Sequence, residues 1–115
     1  MAGKLYHGKL VRDLIPQWLA QRGIASQVNP LDDEEFQAAL RKKLQEEVSE
    51  FLSAPPENQK EELADILEVI HALCTYNNIS IEELELTRRQ KAQQKGAFTQ
   101  RLFLKETEPL PSHSQ

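Results

Sequence analysis

At 115 residues, with 39% apolar and 28% charged side chains, the chain has the size and composition of one folded domain rather than of a disordered or membrane-spanning protein. A formal charge of −4, with scattered bases and few aromatics beside them, excludes a duplex-binding module, so neither polymeric nucleic acid nor membrane is expected as a partner. The opening MAGKLYHGKLVRD lacks the apolar stretch of a secretory signal, which makes the cytoplasm the expected location. A chain of this size buries a core by a narrow margin and gains from a partner subunit.

Up to Val11 the sequence has no helical period and reads either as extended chain or as an arm that packs down. A first short helix is predicted from Ile15-Pro16, with Ile15, Trp18 and Leu19 at helical spacing and Gly23 as its stop. After a connector, Asp32 or Asp33 with Glu35 caps a second helix, in which Phe36, Leu40, Leu44, Val48, Phe51 and Leu52 recur every three or four residues. Pro55-Pro56 ends it. A third helix then carries Leu63, Ile66, Leu67, Ile70, Leu73 and Cys74 as its apolar stripe and closes at Asn77-Asn78; Cys74 serves there as a small apolar residue. Ser80-x-x-Glu83 is a capping-box pattern for a fourth helix reaching Gly96, with Ile81, Leu84, Leu86 and Thr87 on its apolar side.

Phe98 to Leu104 reads as an extended segment docking on the bundle. Residues 1–105 are expected to be the domain and 106–115, polar with two prolines, a loose tail. The predicted fold is all-α: a four-helix-type bundle on a central helical hairpin, completed by dimerisation.

The negative charge is concentrated. Residues 31–70 hold twelve acids against four bases, whereas residues 1–30 and 71–105 are each net positive by three. A solvated helix face is the simplest meaning of such a run, but Glu46 with Glu50 and Glu61 with Asp65 are like-charge pairs four apart, each costing a helix about 0.2–0.5 kcal/mol. The couples Glu47-x-x-Glu50 and Glu62-x-x-Asp65 stand on the two arms of the hairpin. With its turn at Pro56, residues whose numbers sum to about 112 lie side by side, and a rise of about 1.5 Å per residue keeps all four carboxylates near one level. Oxygen ligands and clustered charge are what a hard divalent cation such as Mg²⁺ requires.

On a wheel of about 100° per residue, Glu47 and Glu62 flank the apolar stripes, whereas Glu50 and Asp65 point further round. A further wall is therefore expected, from the fourth helix or a second subunit. Glu46, Glu61 and Glu68 lie near but are more simply solvated.

At these residues the chain resembles the MazG-like all-α nucleoside triphosphate pyrophosphohydrolase superfamily, which includes the dimeric dUTPases and phosphoribosyl-ATP pyrophosphohydrolase. The motif Glu-Glu-x-x-Glu then Glu-x-x-Asp stands here as Glu46-Glu47-Val48-Ser49-Glu50 and Glu62-Leu63-Ala64-Asp65. KLVRDLIP at 9–16, LADILEVIHAL at 63–73 and KGAFTQRLFL at 95–104 extend the resemblance to a house-cleaning subgroup over nearly all the chain.

The resemblance implies Mg²⁺-dependent hydrolysis of the α–β phosphoanhydride of a nucleoside triphosphate, with Mn²⁺ as a substitute, in a homodimer or homotetramer. Glu47, Glu50, Glu62 and Asp65 are the implied metal ligands. Glu46 or one of those four, Glu47 included, is expected to help activate the water. Phosphate-binding cations are looked for at Lys91, Lys95 and Arg101 around Gly96, and at Arg12 and Lys9, although ion pairs with Glu82, Glu83 or Glu85 would equally occupy those on the terminal helix.

The residues binding the base stay unassigned. Trp18, Phe36, His71, Tyr76 and Asn77 are available, but Trp18 and Phe36 fall on apolar stripes and His71 has a simple place on the surface. Histidines 7, 71 and 113 lack zinc spacing, and no P-loop or Rossmann glycine pattern occurs. The alternatives are the histidine-pathway enzyme acting on phosphoribosyl-ATP and a non-catalytic helical interaction module.

Overall fold

The structure is a computed structural model and describes residues 3–111, so His113 and the end of the tail lie outside the described residues. It contains four α-helices and one short 3-10 turn: α1 (Ile15–Ala20), α2 (Asp33–Ser53), the turn Pro56–Asn58, α3 (Gln59–Tyr76) and α4 (Ile81–Lys95). No strand occurs among the described residues, as an all-α fold requires. Two compact units divide the chain, residues 1–81 and 82–115.

In the first unit Pro16 sits in the opening turn of α1, where a missing N–H costs nothing. The helix ends where Gly23 takes φ 75° and the Ile24 amide donates back to the Leu19 carbonyl at 3.0 Å. The Arg22 guanidinium lies 3.5 Å from the Trp18 ring centroid, which covers one face of an indole that is otherwise half exposed.

α2 begins with a full capping box. The Asp32 carboxylate accepts from the Glu35 amide at 2.8 Å, and Glu35 Oε1 accepts from the Asp32 amide at 3.3 Å. Asp33, Glu34 and Glu35 also place negative charge in the first turn, where the helix dipole favours it. Asp32→Ala should therefore cost about 1 kcal/mol of stability, measurable by urea denaturation.

After Ser53 the two prolines turn the chain through the short 3-10 segment, and α3 runs back along α2. Their far ends are pinned together. The Tyr76 hydroxyl donates to the Asp33 carbonyl at 3.2 Å, and the Tyr76 ring meets Phe36 edge-on with centroids 6.0 Å apart. α3 closes on Asn78, whose φ of 57° suits asparagine, with the Ile79 amide bonded to the Cys74 carbonyl at 2.8 Å.

Among the described residues, Leu40, Val69 and Cys74 are the buried apolar ones. Cys74 thus has the packing role expected of it. Val69 was not part of the predicted stripe, while Leu63 and Leu67, which were, stay about half exposed. The reason is that α3 bears apolar side chains on more than one face: Val69 and Cys74 are buried with Glu62, Ile66, Ile70, Leu73 and Tyr76 half-buried around them, and Leu63 and Leu67 stand outside that face. On α2 the buried residues are Leu40 and Glu47, seven apart, with the Asp33 carbonyl meeting Tyr76 at the far end, and these mark the seam between the two helices.

The second unit, described by itself, begins in α4. Ion pairs from Arg88 and Arg89 to Glu85 decorate this helix, and Gly96 follows it with φ 83°. Beyond it, Phe98, Leu102, Phe103 and Leu104 are each at least three-quarters exposed.

Candidate metal centre

The seam ends, near the proline turn, in acids. Glu47 occupies the position where the heptad spacing calls for a hydrophobe, and it is only 7% exposed. Lys43, one turn back on α2, holds Glu47 Oε1 at 3.3 Å and Glu46 Oε2 at 3.6 Å. The other oxygen, Glu47 Oε2, is buried without a hydrogen-bond partner, and so is Oε2 of Glu62 across the seam. One oxygen each from Glu47, Glu62 and Asp65 lies within 4.8 Å of the other two.

Unpaired buried carboxylate oxygens are costly, because the water they lose is not replaced. Burial pushes the Glu47 carboxyl above its ordinary value; Lys43 pulls it back and the negative charge of Glu50 adds to the rise. A hard divalent cation is the ligand that satisfies such a donor set, since it takes oxygen ligands and removes the repulsion between them. The residues present therefore fit the metal that the sequence pattern suggests.

Of the four carboxylates expected to converge, three do. Glu50 is exposed and outside the group of three, though close enough to Glu47 for its charge to be felt. Asp65, which the wheel turned equally far away, reaches the group with its side chain 39% exposed and a cation bonded to it: Arg12 Nη2 donates to Asp65 Oδ1 at 2.7 Å. Glu46 is half-buried beside Lys43, whereas Glu61 and Glu68 are exposed.

Lys43 escaped the sequence reading. Its signal was present in the i, i+3 and i, i+4 spacing to Glu46 and Glu47, which places a lysine on the face that carries the acids.

The phosphate candidates divide differently. Arg12 belongs to the first unit, where it pairs with a carboxylate, while Lys91, Lys95 and Arg101 belong to the second. Several residues considered for the base have structural partners: Tyr76 bonds Asp33 and packs on Phe36, the Asn77 amide donates to the Leu73 carbonyl at 2.8 Å, and Trp18 is covered by Arg22. The acidic group contains no histidine.

This hairpin with its paired acids coincides with a known family. Residues 17–90 match the model of the phosphoribosyl-ATP pyrophosphohydrolase family, about two-thirds of the chain. The chain belongs to that family. It is thereby a member of the MazG-like nucleotide pyrophosphohydrolase superfamily, and an enzyme that hydrolyses a phosphoanhydride bond. No curated protein and no solved structure matches it. Every acid of the candidate centre, and Lys43, falls inside the span shared with the pyrophosphohydrolases, whereas Arg12, Lys91, Lys95 and Arg101 all fall outside it.

Proposed function

We propose that this pyrophosphohydrolase is a Mg²⁺-dependent enzyme that cleaves the α–β phosphoanhydride of canonical or damaged nucleoside triphosphates, releasing the monophosphate and pyrophosphate. The observation that carries the reading is the convergence of Glu47, Glu62 and Asp65 within 4.8 Å, with two of their oxygens buried and unsatisfied. These three would hold the ion, and Glu50, adjacent on α2, is the fourth ligand in this reading. Bound there, Mg²⁺, or Mn²⁺ in its place, would neutralise phosphate oxygens and acidify water.

The chain's own groups do the rest. Glu46, half-buried and paired with Lys43, accepts the proton of the attacking water, or Glu47 does so. Lys95 and Arg101, with Lys91 and Arg12, are proposed to take up phosphate charge. No covalent nucleophile is required. Action in the cytoplasm, where nucleotides are handled, belongs to the same proposal; among the described residues no helix is long and apolar enough to cross a membrane.

A second reading has its own support: the matching family model is that of an enzyme named for phosphoribosyl-ATP, which carries the same scissile bond. Pyrophosphate release from a panel of nucleotides with Mg²⁺ separates the two. Turnover of several triphosphates supports house-cleaning, and turnover of phosphoribosyl-ATP alone supports the histidine-pathway reading. No release from any of them would refute both.

The working unit is proposed to be residues 1–105, with 106–115 as an appendage, assembled as a homodimer or homotetramer. Val48 and Leu52 on α2, and Leu63 and Leu67 on α3, are exposed apolar residues, and a groove along α2 is lined by Leu44, Gln45, Val48, Ser49 and Leu52. Burial of such side chains stabilises association by about 25 cal/mol per Å² of apolar surface before ordering costs. Light scattering should show Leu52→Glu, with Leu67→Glu, shifting the protein toward monomer. An unchanged mass would remove this face from the interface.

A further inference from the structure

The candidate centre carries two cations on its carboxylates, and they differ in how they are held. Lys43 is 21% exposed at its side chain and contacts two acids from the same helix. Arg12 is 57% exposed, among the described residues pairs with one carboxylate, Asp65, and comes from the irregular segment ahead of α1, 53 residues away in sequence. It also precedes the span shared with the family, which begins at residue 17. A residue from outside that span therefore sits on an oxygen of a proposed metal ligand.

We propose that Arg12 is a displaceable counter-ion of Asp65: it neutralises this carboxylate while the centre holds no metal and leaves it when a divalent cation binds, so that Arg12 sets the metal affinity of the site. The proposal rests on the reading of Glu47, Glu62 and Asp65 as metal ligands. A guanidinium bonded to Asp65 and a divalent ion sharing the same carboxylate would repel each other over a few ångströms. Of the two resident cations, the exposed one gives way, because its release into water costs no more than an exposed ion pair is worth. Lys43, largely buried between Glu46 and Glu47, stays in place.

Competition has a direction that a merely supporting role would not give. If metal and Arg12 exclude each other at Asp65, removing Arg12 tightens metal binding by the strength of the broken pair, which for exposed ion pairs is about two- to fivefold in affinity. If Arg12 instead oriented Asp65 for the metal, its removal would weaken binding by about tenfold or more.

The test is calorimetric titration of Mn²⁺ into the full chain and its Arg12→Gln, Arg12→Lys, Lys4→Gln and Asp65→Asn variants, with no substrate present. The expected result is binding tightened about two- to fivefold in Arg12→Gln, much less in Arg12→Lys and in Lys4→Gln, which removes a charge from the same segment without touching Asp65, and severe loss in Asp65→Asn. Asp65→Asn losing binding while Arg12→Gln binds no more tightly than wild type, or no more than Lys4→Gln, overturns the proposal and leaves the metal reading standing. An Asp65→Asn variant that binds like wild type overturns the metal reading at Asp65 and the proposal with it.

Discussion

Glu62→Gln is expected to lower kcat/KM by about a hundredfold or more, since even the outer partners of metal ligands are worth about 10–100-fold. Glutamine keeps the shape of the side chain but replaces the orphaned Oε2, a buried oxygen with no partner, by a neutral amide that holds Mg²⁺ poorly. Glu47→Gln should act in the same way through the other arm of the hairpin. Neither variant should unfold the protein. Removing the Glu47 charge gives up the ion pair with Lys43 but also relieves the cost of burying a carboxylate and the repulsion from Glu50, which together outweigh that pair in the folded state, so metal-free stability should be unchanged or raised. What both variants should lose is the rise in Tm that Mg²⁺ confers on the wild type by binding the native state alone. Melting curves with and without Mg²⁺, beside steady-state kinetics, check both halves of this expectation.

The pH dependence follows from the same residue. Because the folded Glu47 carboxyl sits above its unfolded value, the native state binds more protons there, and its contribution to metal-free stability is present at low pH and lost as pH rises through the folded value. Metal binding has the opposite sign, for the ligand must first lose its proton. On acidification the Mg²⁺-induced rise in Tm should therefore fade at a higher pH than an ordinary glutamate would give.

The second large effect concerns the fold. Leu40 is 2% exposed and, with Val69 and Cys74, makes up the buried apolar core. Truncation leaves a cavity in the seam, so Leu40→Ala should cost about 2–5 kcal/mol. For a domain of marginal stability this is a large fraction of the total, and the urea midpoint should fall accordingly. A loss within the range of ordinary surface substitutions, about 0.5 kcal/mol, would show that the α2–α3 seam is not what holds the hairpin together.

Much of this was legible beforehand. The capping box at Asp32, the double proline after α2 and Gly96 after α4 each mark a helix end by local chemistry, which needs no tertiary information. The two acidic couples were placed on facing arms by the same logic. Less legible was which face of α3 turns toward α2. Hydrophobicity pointed to a stripe from Leu63 to Cys74, of which Cys74 is buried and Ile66, Ile70 and Leu73 are half-buried, whereas Leu63 and Leu67 are exposed and the seam also takes in Val69, Tyr76 and the acid Glu62. A functional acid at a core position hides the face from any pattern that counts only apolar residues. Arg12 was legible as a cation near the chemistry, though its partner, a carboxylate 53 residues away, is set by tertiary structure alone.

The central claim is that two arms of one hairpin deliver carboxylate oxygens to a single divalent cation. Crystals grown with Mn²⁺ test it directly through anomalous scattering. One strong peak enclosed by Glu47, Glu62 and Asp65 is expected, absent in Glu62→Gln. A peak elsewhere, or an ion held without either arm's acids, would contradict it.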